Sequence, residues 1–338
     1  MKKILKILSF TLIFLTTLLL GVFVTLSIYF RQENFTLAIL GTLLFLASYI
    51  IFLASLKVGR FRLGAFGVYL LTLSIWSYWY STIKPSNDRQ WQKDVAVLAY
   101  ATIDKNLVTV HNIRNFKYKS EFDYNASYYD ETFDINRLQS LNFIATYWMG
   151  PDVAHTFLSF NFSDDKHLAI SIEARKEMDE SYSMIRGFFK DNELYYVVAD
   201  ERDLIGLRTN IRKNPPEHVY MYEINASPQE ERKVFLNYMQ RLNELKENPE
   251  FYNTLTTNCT TSIWKNSLVS YSNMKFNWEI LVSGHTARYL YKHGLLKTYG
   301  LSFEELQKRS YINPLVQDAP IDDSFSKKIR SVDFKHLQ

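Results

Sequence analysis

The sequence predicts an α+β fold, an antiparallel sheet packed on helices, placed behind three N-terminal transmembrane helices. Three observations carry this expectation. Three uncharged apolar runs occupy residues 1–83. Beyond them, period-two strand patterns come first and helical patterns last, the order of an α+β domain. The composition, 47% hydrophobic and 16% aromatic against 22% charged, excludes a disordered chain, a collagen and a coiled coil. Residues 1–83 therefore read as a membrane domain and residues 84–338 as one extracytoplasmic α+β domain.

The apolar runs are Ile7 to Phe30, Phe35 to Leu56 and Leu63 to Ile83. Each reaches the roughly 20 residues that a helix needs to cross a bilayer core of about 30 Å. The Met1-Lys2-Lys3 start also suits a cleaved signal peptide, but the apolar core of a signal peptide runs roughly 7–15 residues. The first run is longer, and no small-x-small site follows Leu19 to Phe23. Lys2, Lys3 and Lys6, and then Lys57, Arg60 and Arg62, mark cytoplasmic segments. The loop Arg31-Gln32-Glu33-Asn34 is neutral and reads as outside. Three crossings then put the rest of the chain outside, with Trp76, Tyr78, Trp79 and Tyr80 at the outer interface. The net charge of +4 belongs to the first 83 residues, which hold seven bases and one acid. The remainder is slightly acidic, which argues against nucleic acid as a partner.

In the outer domain, Val95 to Ile103 and Leu107 to Ile113 read as a hairpin about Asp104-Lys105-Asn106. Residues 114–139 read as polar, Tyr-rich and irregular. Leu141 to Trp148 is a strand closed by Gly150-Pro151. His155 to Phe162 and Leu168 to Arg175 alternate, with Leu158, Phe160, Phe162, Leu168, Ile170 and Ile172 on one face. Keeping both apolar faces together pairs Ser163 with His167 and sets His155 opposite Arg175, with Glu173 diagonal to it. Met178 to Phe189 reads as helical. Glu193 to Asp200 and His218 to Ile224 read as strands, and Asp200 to Asp203 as a turn. Ser227-Pro228-Gln229-Glu230 is a capping box that opens a helix to about Asn248. Cys259 stands at or near a helix start, and Asn277 to Leu296 holds further helix interrupted near Gly284.

A single cysteine excludes an intramolecular disulfide and a cysteine-built zinc site. No Gly-rich phosphate loop, His-Glu-x-x-His motif or Gly-x-Ser-x-Gly elbow occurs, so no cofactor or metal is expected. The lone cysteine lies in Thr-Asn-Cys-Thr-Thr, where a helix N-terminus stabilises a thiolate. A buried inert thiol is the bland alternative. His155 is the best-placed base. It lies on the more polar face of its strand with Glu173 and Arg175, and Glu173 can hold its tautomer. A surface histidine is the alternative reading, and spacing leaves His111, His218, His285 and His293 open as partners. His167 lies at the turn end, too far along the strand to orient His155. Asn258 either caps the helix or donates to an oxyanion, as the Cys259 N–H can. Tyr252 and Asn253 either line the cleft or serve core and turn. Arg186, Arg202 and Arg208 are candidates for an anionic headgroup, or simply solvated charges.

Four segments together, His155 to Phe160, Ser171 to Arg175, Asp200 to Arg208 and Tyr252 to Thr261, resemble the Lnb family and its N-terminal periplasmic domain. The resemblance covers roughly residues 145–270. It implies a bacterial lipoprotein N-acyltransferase with a permuted papain-like fold, the histidine preceding the cysteine, an order shared with the lecithin retinol acyltransferase group. It implies Cys259 as nucleophile and His155 as base. The best-known members carry their membrane part after this domain, whereas here it comes first, which leaves the acceptor open. The expectation is an integral protein of the bacterial inner membrane with a periplasmic catalytic domain, a phospholipid as acyl donor and a lipoprotein as acceptor. The alternatives are a cysteine peptidase or amidase acting on cell-wall peptides, and a catalytically inactive membrane sensor.

Overall fold

The computed structural model describes residues 2–32, 34–56, 59–181, 183–272 and 274–331. Glu33 and Lys57, part of the charge pattern above, lie outside these. The chain divides into two compact units, Met1–Ser86 with Ser183–Asp191, and Asn87–Tyr182 with Asn192–Gln338.

The first unit contains helices α1 (Lys2–Arg31), α2 (Phe35–Ser55) and α3 (Arg62–Thr82). Asn34 caps α2 by accepting the Leu37 N–H at 3.1 Å. Among the described residues two segments, not three, are long and apolar enough to cross a membrane: Thr11–Arg31 within α1, of mean hydropathy 2.3, and α2, of 2.5. This corrects the expected three spans. α3 forms over the predicted run, but Thr72, Ser74, Ser77, Ser81 and its tyrosines dilute its apolarity. It packs along the other two. Tyr69 stacks on Phe52 at 4.9 Å, the Ser48 and Thr72 hydroxyls bond at 2.9 Å, and Trp76 donates to Ser27 at 2.7 Å. α2 runs antiparallel to both neighbours, with Gly41 beside Ile28 and Gly21 beside Tyr49. α1 and α3 are therefore parallel and end on the same side.

The second unit is built on strands β1 (Tyr100–Asp104), β2 (Leu107–Arg114), β3 (Lys117–Tyr118), β4 (Tyr124–Asn125), β5 (Tyr128–Asp134), β6 (Leu138–Tyr147), β7 (Ala154–Phe162), β8 (His167–Arg175) and β9 (Glu193–Ala199). Helix α4 (Glu201–Gly206) and strand β10 (His218–Glu223) follow. Then come α5 (Pro228–Glu247), α6 (Cys259–Ser267), α7 (Trp278–Leu281), α8 (Thr286–Lys292), α9 (Phe303–Ser310), α10 (Asn313–Val316) and α11 (Phe325–Lys328). The main sheet runs β1-β2-β9-β8-β7-β6-β10, with β5 also on β2, and it is antiparallel except for the β2–β9 contact.

Both faces of this sheet are covered. Leu158, Phe160, Leu168, Ile170 and Tyr196 pack against Phe235, Tyr238 and Met239 of α5 and Ile263 of α6. On the other face Phe157, Ala169 and Val197 pack against Leu204 and Ile205 of α4, Ile312, Val316 and Phe325. The capping box predicted at Ser227 is present, with Glu230 donated to by the Ser227 N–H at 2.7 Å.

Several local expectations change. β1 starts at Tyr100 rather than Val95, because Val95 turns into the second core. Residues 114–139 contain β3, β4 and β5. Only Phe133 of β5 is buried, so that strand leaves no alternating pattern to read. Asp200 to Asp203 is a helix start rather than a turn: Asp200 accepts the Arg202 N–H, and Glu201 and Asp203 occupy the first turn of α4. Met178 to Phe189 is not a helix; among its described residues only a 3₁₀ turn, Arg186–Phe188, forms.

The buried pair Arg114–Asp203 ties α4 to β2. Nε and Nη2 donate to the carboxylate at 3.0 and 2.7 Å, joined by the Phe116 N–H and the Tyr118 hydroxyl. Asp203→Ala leaves Arg114 uncompensated. It is expected to cost about 3–5 kcal/mol in denaturant unfolding followed by tryptophan fluorescence. A change below about 0.5 kcal/mol, the range of ordinary surface substitutions, would contradict this account.

Candidate active site

β7 and β8 pair Asn161 with His167 and Phe157 with Ser171. The expected register was two residues longer, Ser163 with His167. The turn closes one residue earlier on each strand than predicted: Phe162 N–H reaches the Lys166 carbonyl, and Asp165 adopts φ 63°. A two-residue shift keeps every side chain on its predicted face. It changes who faces whom, since the same register carried onward sets His155 opposite Glu173 rather than Arg175. The ladder ends at Phe157–Ser171, so His155 lies beyond the last pair, where the N-terminus of α6 reaches it. There Thr156 and Thr260 hydroxyls bond at 3.1 Å.

Asn258 is the N-cap of α6. Its Oδ1 accepts the Thr261 N–H at 2.8 Å and its Nδ2 donates to the Thr254 carbonyl at 2.7 Å. The Ser262 N–H bonds the Asn258 carbonyl. The N–H groups of Cys259 and Thr260 thus belong to the helix end, which has no intrahelical acceptor for them. The thiol sits in that positive field, 3.6 Å from the Thr260 hydroxyl, and His155 is the neighbour that most favours its thiolate.

The histidine is held from behind by a relay that sequence reasoning missed. His155 Nε2 donates to Ser171 Oγ at 2.6 Å, and Ser171 Oγ donates to Glu173 Oε1 at 2.8 Å. Glu173 Oε1 is itself 3.5 Å from Nε2. Arg208, 4% exposed, donates Nη2 to the same Glu173 oxygen at 3.2 Å. Behind it stand Glu217, 3.8 Å from Arg208 Nε, and Arg212, which binds Glu217 at 2.7 Å.

The charges follow from these contacts. Burial pushes the Cys259 thiol up, but His155, the Thr156 N–H and the Thr260 hydroxyl outweigh it and bring the pKa down to about 7. Burial pulls the imidazolium down, but its hydrogen bonds to Cys259 and Glu173 and their charges raise it to about 9. Burial also works against the Glu173 carboxylate, yet His155, Arg208 and Ser171 hold it well below the usual carboxylate range. The usual order of thiol and imidazole is therefore inverted, which favours a thiolate–imidazolium pair near neutrality.

Not every sequence candidate is here. The Arg175 guanidinium donates to the Val95 and Ala96 carbonyls at 2.9 Å each and to Asn87, and lies 4.1 Å over the Trp91 ring. The hydrogen bonds of this guanidinium are thus with the segment before β1, away from the Cys259–His155 relay. Tyr252 is buried in the core, Asn253 accepts the Leu255 and Thr256 N–H groups in a turn, and the Asn258 side chain is spent on capping. Arg186 binds Asp191, and Arg202 binds Asp200 and Asp323. His111, His218 and His285 bond Asp130, Tyr311 and Asp152, and His293 lies against Tyr289. His167 bonds Asn161 at the turn end. Ser171 and Arg208 both stood in segments that had been singled out; the missing signal was the strand register. Behind α6 an apolar cavity of about 40 Å³ touches Leu141, Leu158, Thr260, Ile263 and Trp264.

Ser171→Ala is expected to break the relay without removing Glu173. A hydrogen bond to a charged group contributes about 1.5–3 kcal/mol. Turnover should then fall roughly 10–100-fold, with the alkaline limb of the pH profile moving down as the imidazolium loses support. An unchanged profile would reduce Ser171 to a packing residue.

The model of the Lnb N-terminal periplasmic domain matches residues 124–293, a span that contains His155, Ser171, Glu173, Arg208 and Cys259. No curated protein and no solved structure matches the chain. The match covers half of the sequence and all of the relay around its single cysteine: the chain belongs to the Lnb N-terminal periplasmic domain family.

Proposed function

We propose that this protein is a membrane-bound, cysteine-dependent acyltransferase that moves a fatty acyl chain from a phospholipid to the N-terminal amine of a lipoprotein. The observation that carries the reading is the placement of Cys259 at the N-terminus of α6, with His155 held from behind by Ser171, Glu173 and Arg208. Membership of a periplasmic domain family and the apolar helices α1 and α2 support a setting in the inner membrane, with the domain on its outer side. The parallel course of α1 and α3 supports the same side, since the chain leaves α3 where α1 ends. Histidine before cysteine, on an antiparallel sheet beside a helix, supports a permuted papain-like architecture.

In the first step the Cys259 thiolate attacks the ester carbonyl of the phospholipid. The oxyanion lies within reach of the Cys259 N–H at the helix end. The ester C–O bond breaks, the His155 imidazolium protonates the departing oxygen, and lysophospholipid leaves a Cys259 thioester. In the second step neutral His155 takes a proton from the attacking α-amine. The C–S bond breaks, the amide forms and the thiolate returns. Glu173, held through Ser171 and Arg208, keeps the imidazole oriented through both steps. A tethered enzyme meets both lipid-borne substrates at one surface, which raises their effective concentration.

Intact-mass analysis of the protein purified from its own membranes tests this reading. A fatty-acyl adduct on Cys259, released by neutral hydroxylamine and absent from Cys259→Ala, is expected. Wild-type protein supplied with phospholipid and showing no adduct, together with its cleavage of wall peptides, would replace the reading with the cysteine hydrolase.

A further inference from the structure

The described residues between β8 and β9 include a segment, Ser183–Asp191, that packs with the membrane helices as part of the first unit. Phe189 lies against Phe23 at 5.3 Å and Phe30 at 5.5 Å, near the end of α1. Arg186 forks onto the buried Asp191 through Nε at 2.7 Å and Nη2 at 3.0 Å. Arg31, the last residue of α1, reaches the same carboxylate at 3.5 Å. Lys190 donates to the Tyr80 and Ile83 carbonyls at 3.0 and 3.4 Å, where the negative end of α3 favours a cation, and it lies 4.6 Å over the Tyr80 ring. Burial, and then Lys84 and Arg31, lower the Lys190 pKa, which records how closely these bases are gathered.

The segment is thus pinned to the ends of two parallel helices, one of them apolar enough to span a membrane. Its outer side carries Met184 and Ile185, 47% and 58% exposed. Aromatic and basic side chains at the end of a span mark the depth of lipid headgroups. Here Phe30, Tyr80, Arg31, Arg186 and Lys190 gather at the helix ends, and the exposed Met184 and Ile185 directly precede Arg186 in the chain. The bases suit the phosphates of the same lipids.

We propose that Ser183–Asp191 is a membrane-interface anchor that inserts Met184 and Ile185 into the headgroup–acyl boundary of a phospholipid leaflet, held in place by the Arg31–Asp191–Arg186 lock. The anchor is independent of acyl transfer and is tested without it. The full-length chain carrying Cys259→Ser and Met184→Cys receives a nitroxide and is reconstituted in vesicles of phosphatidylethanolamine and phosphatidylglycerol. Glu304→Cys, on the exposed face of α9, is the aqueous reference. Collisions of the label with oxygen and with a water-soluble nickel chelate report its depth. The expected result at Met184 is a severalfold loss of nickel collisions and a gain of oxygen collisions relative to Glu304. Nickel access equal to that at Glu304 would place the loop in water, and loss of both would place it against protein; either overturns the proposal. Adding Asp191→Asn is expected to loosen the label's motion and shift its depth. An unaltered spectrum would overturn the lock. Both label sites are exposed, so neither readout depends on replacing a core residue.

Discussion

Cys259→Ser is expected to abolish acyl transfer, with a fall of about 10⁴–10⁶-fold in turnover, the scale seen when a nucleophile is removed from a cooperative set. The two atoms differ little in size, so the fold should stand; the loss comes from charge. The sulfur is brought to a pKa of about 7 by His155, the Thr156 N–H and the Thr260 hydroxyl. A serine hydroxyl in the same contacts stays protonated at neutral pH, and His155 then has no anion to stabilise. The check is single-turnover kinetics with a fluorescent phospholipid, beside tryptophan fluorescence to confirm folding. Retention of a tenth of the wild-type rate would sink the nucleophile assignment.

His155→Asn is expected to have the second-largest effect, and it separates charge from chemistry. In the wild type the thiolate predominates above about pH 7, and the imidazolium persists to about pH 9. The ion pair therefore fills the window between these values. Below it the sulfur is protonated, and above it the acid for the leaving oxygen is lost. Activity should be bell-shaped across that window, because the first step needs both ions. Removing the imidazole leaves burial, which pushes the thiol up, as the largest influence on Cys259. At pH 7 the thiolate fraction then drops from about half to about one per cent or less, so alkylation by iodoacetamide should slow at least about 50-fold. Acyl transfer should fall much further, since proton delivery is lost as well. An alkylation rate unchanged by the substitution would show that the helix end alone ionises the sulfur.

How much of this was legible in the chain can be judged residue by residue. The helix start at Cys259 was legible because capping is local: Asn258 and Thr261 lie within one turn of each other. The Ser227 box and the alternation of Leu158, Phe160 and Phe162 were legible for the same reason. The face shared by His155 and Glu173 survived even a wrong register, because a slip of two residues preserves the pleat. Arg175 shows the limit. It sits on the predicted face two residues from Glu173, yet its long side chain turns to the Val95 and Ala96 carbonyls and the Trp91 ring. Nothing within β8 encodes those partners. Helix α4 was misread although Asp200, Glu201 and Asp203 carried its start signal, and α3 was over-read because an uncharged run was taken as an apolar one.

By itself the sequence determined two long apolar N-terminal helices, the α+β order, the single thiol at a helix start and the strand face shared by His155 and Glu173. These rest on hydropathy, period and capping, all of which act over a few residues. Tertiary structure decided the rest. It interposed Ser171 between His155 and Glu173, turned Arg208 toward the carboxylate, and set His111, His218, His285 and His293 against other partners. It also spent Arg175, Asn258, Tyr252 and Asn253 on structure. Those outcomes depend on strand register and on the packing of α4 and α6 about the sheet, contacts between residues up to a hundred apart in sequence. There the pairing energy of the whole sheet, and no local preference, chooses the neighbour.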